Sequence, residues 1–229
     1  MSKLLYAIFA HPDDEAFGVS PTLIKERHEG TEVHLVTLTA GEAGVNPDQL
    51  ADLGTARLEE WHQSAQIIGA ASTTHLGYRD GQLCNADIDS IVEQLVSQIS
   101  HRLRSDSSPT VLDFITFDVT GLSGHIDHIV ASHATLLAYH RLAPQFPAVR
   151  MRVRMLCATK QQQPATNADW RYAPIGREPE QIDETIDARK YHDEVVQCMR
   201  AHHSQRQDRE SHLKNRGDTL CINHYVVIE

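Results

Sequence analysis

A chain of 229 residues with 41% hydrophobic and 23% charged residues can build one sizeable α/β core, and residues 1–229 are read as a single domain. Its formal net charge of -10 argues against nucleic acid or an anionic membrane as the main partner, which leaves a small molecule. No apolar run reaches the length of a membrane span, and Cys84, Cys157, Cys198 and Cys221 lack the spacing of a thiolate metal site or a disulfide framework.

Leu4 to Ala10 is long enough for one buried strand and too short for a core helix. Ala7–Ala10 imitates a signal-peptide cleavage site, but only Lys3 precedes the run, so a cytoplasmic protein is expected. Pro12 biases His11 toward an extended conformation, so the strand stops and turns at Ala10-His11-Pro12-Asp13-Asp14-Glu15. That turn gathers an imidazole and three carboxylates. His11 and Asp14 suit zinc or a similar divalent ion, and Asp13 beside them can take a proton from water on the metal. A helix N-terminus rich in acids would also favour such residues, but a second histidine cluster downstream favours a metal site.

Ser20-Pro21 reads as a helix cap, with the helix running to about Glu29 before Gly30. Glu32 to Thr39 is a second buried strand, ending in the loop Thr39-Ala40-Gly41-Glu42-Ala43-Gly44. A helix from about Thr55 to Ile68 carries Leu58, Trp61, Ala65 and Ile68 on one face. Thr73 to Tyr78 is a short strand before the turn Arg79-Asp80-Gly81. The helix from Asp87, its cap, to about Arg104 has the clearest apolar stripe. Val111 to Asp118 is a further buried strand, followed by a helix from about His125 to Leu142. Strands alternating with helices predict βαβ units and a Rossmann-like three-layer α/β fold with a mostly parallel sheet. Ligands then bind beyond the carboxyl ends of the strands. Val149, Met151, Val153 and Met155 alternate with Arg150, Arg152 and Arg154, a half-buried strand whose arginines pair with the chain's excess acids or face water. Residues 160–184 read as a polar loop, Asp187 to His202 as a helix, Arg206 to Asp218 as unpatterned, and Tyr225 to Ile228 as a last strand.

After the Val111–Asp118 strand comes Gly124-His125-Ile126-Asp127-His128, with His125 and His128 three apart on one helical face. One imidazole can ligate a metal while the other reaches into the space beside it. With His11 and Asp14 this gives two nitrogens and one carboxylate, the composition of a catalytic rather than a structural zinc site.

These two motifs together resemble the PIG-L/LmbE family of zinc-dependent N-acetylglucosaminyl deacetylases. His11 to Glu15 match the family's first turn without change, and Gly124 to His128 match its Gly-His-x-Asp-His element. Thr39 to Gly44, Arg57 with Glu60, Leu76 to Gly81 and Ala201-His202-His203-Ser204-Gln205 are similar to its connecting elements, while Val195 stands where the family usually has lysine. The resemblance implies that His11, Asp14 and His128 hold Zn2+, with Fe2+ as another candidate. It implies Asp13 as general base and a protonated His125, oriented by Asp127, at the developing oxyanion. It also implies substrate contacts for Arg57, Glu42, Asp80 and His202, on an amino sugar carrying an N-acetyl group. Arg57 could equally be a surface partner of Glu60, and Glu15 supports the site rather than ligating. An amidase of larger N-acyl or thiol-conjugate substrates would share this chemistry. Two histidines and a carboxylate also suit a non-haem iron oxygenase. A non-catalytic sugar-binding module would lack Asp13 or His125. A homo-oligomer is compatible with all of these readings.

Overall fold

In the computed structural model, which describes residues 2–105, 109–162 and 175–229, the first apolar run forms strand β1 (Lys3–Phe9) inside a seven-stranded sheet. β2 (Glu32–Thr39) and β3 (Ser72–Tyr78) extend it on one side, β4 (Val111–Phe117) and β5 (Arg150–Cys157) on the other, all parallel. Beyond β5, β7 (Ile222–Ile228) runs against the others and pairs antiparallel with both β5 and β6 (Glu184–Asp187), in the order β3-β2-β1-β4-β5-β7-β6.

Successive side chains of a strand face opposite ways, so β1 feeds two cores. Leu4, Tyr6 and Ile8 pack with Ile91, Leu95 and Ile99 of α3 (Ile88–Leu103) and with Ala134, Ala138 and Leu142 of α4 (Ile126–Leu142). Leu5, Ala7 and Phe9 pack with α1 (Ser20–His28), α2 (Leu53–Ile68) and α5 (His192–Ala201) through Leu23, Ile24, Trp61, Ile68, Cys198 and Met199. Burial on both faces is why β1, β2 and β4 read as continuous apolar runs. This is the expected three-layer α/β fold.

Because β2 and β4 flank β1, the winding of the sheet reverses between β1 and β4. A parallel sheet opens a crevice at such a reversal, outside the carboxyl ends of its strands. The turn after β1 carries His11 to Glu15, and the loop after β4 carries His125 to His128. Topology therefore closes a sequence separation of 117 residues.

The local differences from the sequence reading have physical causes. Ser20 does not cap α1; a single π-helical turn, Glu15–Val19, already precedes it, and its hydroxyl donates to the Ala16 carbonyl. Such turns recur at functional sites. Asp87 stands before α3, but its carboxylate accepts from the Cys84 amide rather than capping the helix. α5 begins at His192 rather than Asp187, because Glu184–Asp187 is drawn into the sheet as β6. Residues 206–216, expected to be unpatterned, form α6 (Arg206–Arg216). No residue of that helix is fully buried, so it lacks an apolar stripe to read; Arg216 holds it by donating to the Phe17 carbonyl, and His212 lies against the Phe17 ring. Of the loop expected at 160–184, residues 163–174 lie outside the described residues. Among the described residues, no helix is long and apolar enough to cross a membrane.

The arginines of β5 pair with acids, and their exposure falls along the strand, from the exposed Arg150 to the buried Arg154. Arg150 meets Glu229, Arg152 meets Asp113, and Arg154, wholly buried, bridges Glu26 and Asp113 at 2.6 and 2.9 Å. Burial pushes the Glu26 and Asp113 carboxyls up, yet Arg154 at Glu26, and Arg152, Arg154 and Lys3 at Asp113, hold both below the usual range. Groups depressed in the folded state contribute fully above their unfolded pKa of about 4 and lose that contribution as pH falls through the folded value. Removing one member of a buried ion network leaves uncompensated charge. Arg154→Met should therefore cost roughly 3 kcal/mol in urea unfolding at pH 7, with the deficit shrinking toward pH 3. A loss that is small at pH 7 or independent of pH would contradict this account of the network.

Candidate metal centre

His11 leaves the end of β1 with its two ring nitrogens in different surroundings. Nε2 faces carboxylates, lying 3.0 Å from Asp80 Oδ1 and 3.3 Å from Asp127 Oδ2. These acids are fixed in turn: the Ala43 amide donates to Asp80 Oδ2 and the Gly81 amide to Asp127 Oδ2. A proton on Nε2 shared with these acids, with Nδ1 turned to the other side, is the outer-partner arrangement typical of ligating histidines. Nδ1 lies 3.1 Å from His128 Nε2 and 3.6 Å from Asp14 Oδ2, and Asp14 Oδ1 lies 3.3 Å from His128 Nε2.

Those three separations test whether the residues fit an ion. Bonds of about 2.0–2.2 Å in a tetrahedral set put donors about 3.3–3.6 Å apart. The donor set fits. Among the described residues, the imidazoles of His11, His125 and His128 also converge, as do His11, Asp80 and Asp127. Asp80 and Asp127, however, face the other nitrogen of His11, away from His128. His128 is aimed from behind as well, its Nδ1 lying 3.1 Å from the Gly121 carbonyl and 3.2 Å from Ser123 Oγ. Gly121 has φ +69°, and a Cβ there would sit 2.9 Å from the His128 Cβ, so only glycine suits this approach.

Electrostatics agree with a site built for a cation. Burial pushes His11 down, but hydrogen bonds to Asp127 and Asp80 and the charge of Asp14 carry it up to about 10. Burial raises Asp14 to about 7, with Asp13 adding to the rise and His11 opposing it. Burial and the His11 charge hold His128 well below its ordinary value, in the neutral form a ligand needs. Burial raises Asp80, but the His11 hydrogen bond and charge dominate and bring it to about 2.

Asp13 adopts φ +110°, a conformation L-residues rarely take. Its carboxylate accepts from Arg57 Nη2 at 2.8 Å, and the same guanidinium donates to the carbonyls of Pro12 and Gly41. Burial raises Asp13, opposed by Arg57, His202 and His11. His125 borders the cluster with its ring 5.0 Å from that of His11. Its Nδ1 accepts from the Asp127 amide at 3.2 Å, which leaves Nε2 as the N–H donor of a neutral ring.

The remaining residues expected at the site take these places. Burial and the His11 charge lower His125, which favours its neutral form. Asp127 orients His125 through its backbone amide, while its carboxylate serves His11 and Gly81. Asp80 has both oxygens engaged, by His11 and Ala43, and is a support for His11 rather than a substrate contact. His202 is wholly buried and meets Glu15, out of reach of a substrate. Arg57, 4% exposed, is neither a surface partner of Glu60 nor free for a substrate; Glu60 instead takes the amide and hydroxyl of Ser204. Glu42 is exposed, with Oε1 accepting from the Asp80 amide. Ser64, which donates to Glu15, was not foreseen, although it lies seven residues after Arg57 and shares its helical face.

The support of His11 is open to direct test. Losing an outer partner of a ligating histidine costs about 10–100-fold in metal affinity, so Asp127→Ala should weaken zinc binding by that factor in a competitive chelator titration. Unchanged affinity would contradict the role assigned to Asp127.

A family profile described as PIG-L, GlcNAc-PI de-N-acetylase, matches residues 6–139. A 1D-myo-inositol 2-acetamido-2-deoxy-alpha-D-glucopyranoside deacetylase of Thermobifida fusca is 30% identical, over 69% of this chain and 62% of its own length. The chain thus spans less than two thirds of that relative. The N,N'-diacetylchitobiose deacetylase of Pyrococcus horikoshii shares the fold, with a TM-score of 0.68 and 15% identity over 99% of this chain and 84% of that one. So does the 4-carboxy-2-hydroxymuconate hydratase GalB of Pseudomonas putida, with a TM-score of 0.69 and 17% identity over 100% and 97%. The profile match takes in more than half of the chain and both motif-bearing turns, and this chain therefore belongs to the PIG-L family of deacetylases.

Proposed function

We propose that this chain removes the N-acetyl group from an N-acetylglucosamine-containing small molecule or glycoconjugate, with Zn2+ held by His11, Asp14 and His128. The supporting observation is the set of three donor–donor separations, 3.1, 3.3 and 3.6 Å, among residues far apart in sequence. A divalent ion in that set, zinc or Fe2+, supplies Lewis acidity and makes hydroxide available near neutral pH. Asp13 takes the proton released as water attacks the acetyl carbonyl and delivers it to the leaving amine nitrogen. Arg57 opposes the rise that burial imposes on the Asp13 carboxyl and fixes which of its oxygens faces the reaction. His125 donates its Nε2–H to the carbonyl oxygen as negative charge develops there, and the Asp127 amide holds it in the required tautomer.

The sugar-conjugate reading takes further support from the T. fusca relative, whose name specifies an inositol-linked 2-acetamido sugar. The hydratase among the structural neighbours means that the fold alone does not choose the reaction. What favours acyl transfer to water is the residue set itself, read as a base, an N–H donor and a cation-binding group. We place the enzyme in the cytoplasm, acting on a soluble substrate.

Free N-acetylglucosamine, its inositol- and malate-linked conjugates, diacetylchitobiose and a glycopeptide should be incubated with the zinc-loaded protein and scored for free amine. At least one conjugate should be turned over; amine from none of them would reject the reading. Asp13→Ala should lower kcat by about 10²–10⁴ with zinc retained, the usual contribution of a general base. His128→Ala should lose the metal itself, read by elemental analysis. Unchanged turnover in Asp13→Ala would remove it as the base.

A further inference from the structure

Glu15 and His202 form a buried pair that the proposed chemistry does not use. Glu15 is 2% exposed and His202 is wholly buried, at the end of α5. His202 Nε2 lies 2.8 Å from Glu15 Oε1, and Ser64 Oγ donates to the same oxygen at 2.5 Å. The other oxygen, Oε2, accepts from the Asp13 amide at 3.1 Å. One carboxylate thus connects His202 to the peptide of the residue read above as the base.

That peptide needs holding. Asp13 sits at φ +110° without being glycine, and such a conformation persists only where its surroundings over-determine it. On its carbonyl side, the amides of Ala16 and Phe17 donate to Asp13 O. Arg57 fixes its carboxylate and the preceding carbonyl. On the amide side, Glu15 is the partner. Glu15 could turn away from this contact by a simple side-chain rotation were Oε1 not gripped.

The grip comes from a rigid corner. After His202, Ser204 donates from its amide and hydroxyl to Glu60 of α2, at 2.7 and 2.6 Å. Gln205 donates to the Val45 carbonyl, and Arg206 pairs with Asp48. The end of α5 is thereby fastened both to α2, which carries Arg57 and Ser64, and to the loop after β2. The backbone that follows His202 is thus fixed, its ring lies edge-on to Phe17, and its Nε2 points at Glu15.

We propose that His202 is a positioning residue that acts through Glu15: it fixes the Glu15 carboxylate, which holds the Asp13 peptide in the conformation that aims its side chain. This rests on the reading of Asp13 as general base. It differs from a substrate contact, which burial denies to His202, and from a merely stabilising ion pair, whose loss would leave Asp13 in place.

The test is a double-mutant cycle of Glu15→Gln, His202→Ala and the pair together, each zinc-loaded, with His202→Gln as the conservative variant. A misplacement of about 1 Å in a catalytic group costs about 10²-fold. Each single variant should therefore lose about that much in kcat with KM and zinc content unchanged. Residues acting through one contact are not additive, so the double variant should fall no more than a few-fold below the worse single one. His202→Gln, which keeps an N–H for Glu15, should recover most of the activity. Multiplying losses, a raised KM with unchanged kcat, or loss of zinc in step with activity would each overturn the proposal. If His202→Ala does not fold, Ser64→Ala, which removes the other grip on the same oxygen, replaces it in the cycle. A crystal structure of the variant gives a readout independent of turnover: Asp13 should leave φ +110°, and an unmoved Asp13 would overturn the proposal. A wild-type protein that releases no amine from any conjugate would instead reject the functional reading.

Discussion

The site depends on His11 being held at one nitrogen and left open at the other. An imidazole between two carboxylates and a metal can turn its ring or move its proton, and either change would spoil a ligand. Asp80 and Asp127 remove that freedom from the Nε2 side, and backbone amides of Ala43 and Gly81 fix those acids. The amides come from loops after other strands of the same sheet. The position of a single lone pair is therefore set by the parallel sheet as a whole, through the edge where its strands end.

The same logic explains why the cluster concentrates so many acids and histidines without falling apart. Asp13, Asp14, Glu15, Asp80 and Asp127 would repel one another if all were ionised and unpartnered. Four of them have a partner on another element: Arg57 for Asp13, His202 for Glu15, and His11 for Asp80 and Asp127. Burial raises the Asp14 carboxyl to about 7, and Asp14 shares its side of the cluster with His11 Nδ1 and His128 Nε2. A divalent cation there would answer its charge. It would also have to displace the Nδ1 proton of the His11 imidazolium, which ties affinity to pH.

Much of this was legible in the chain. The core strands declare themselves because burial on both faces leaves only apolar residues, as in Leu4 to Ala10, and the stripe of α3 is a plain helical period. His11, Asp14 and His128 stand out because the turn chemistry around them, Pro12 before the acids and Gly124 before His125, marks where strands stop. What was not legible is what depends on partners remote in sequence. Arg57 looks like an exposed helix residue until the turn 44 residues earlier closes over it. His202 looks like a substrate contact until Glu15, 187 residues earlier, is seen beneath it. Strand β6 exists because β7 pairs with it, and α6 because Arg216 and His212 reach Phe17. Periodicity records a residue's own burial; it is silent on which polar neighbour makes that burial tolerable.

The central claim, that one cation is gripped by residues from both sides of the β1–β4 reversal, is tested most directly by diffraction from zinc-loaded crystals at the zinc absorption edge. The account expects a single anomalous peak about 2.0–2.2 Å from His11 Nδ1, His128 Nε2 and a carboxylate oxygen of Asp14. A peak on the Nε2 side of His11, between Asp80 and Asp127, or none within bonding distance of both His11 and His128, would contradict it.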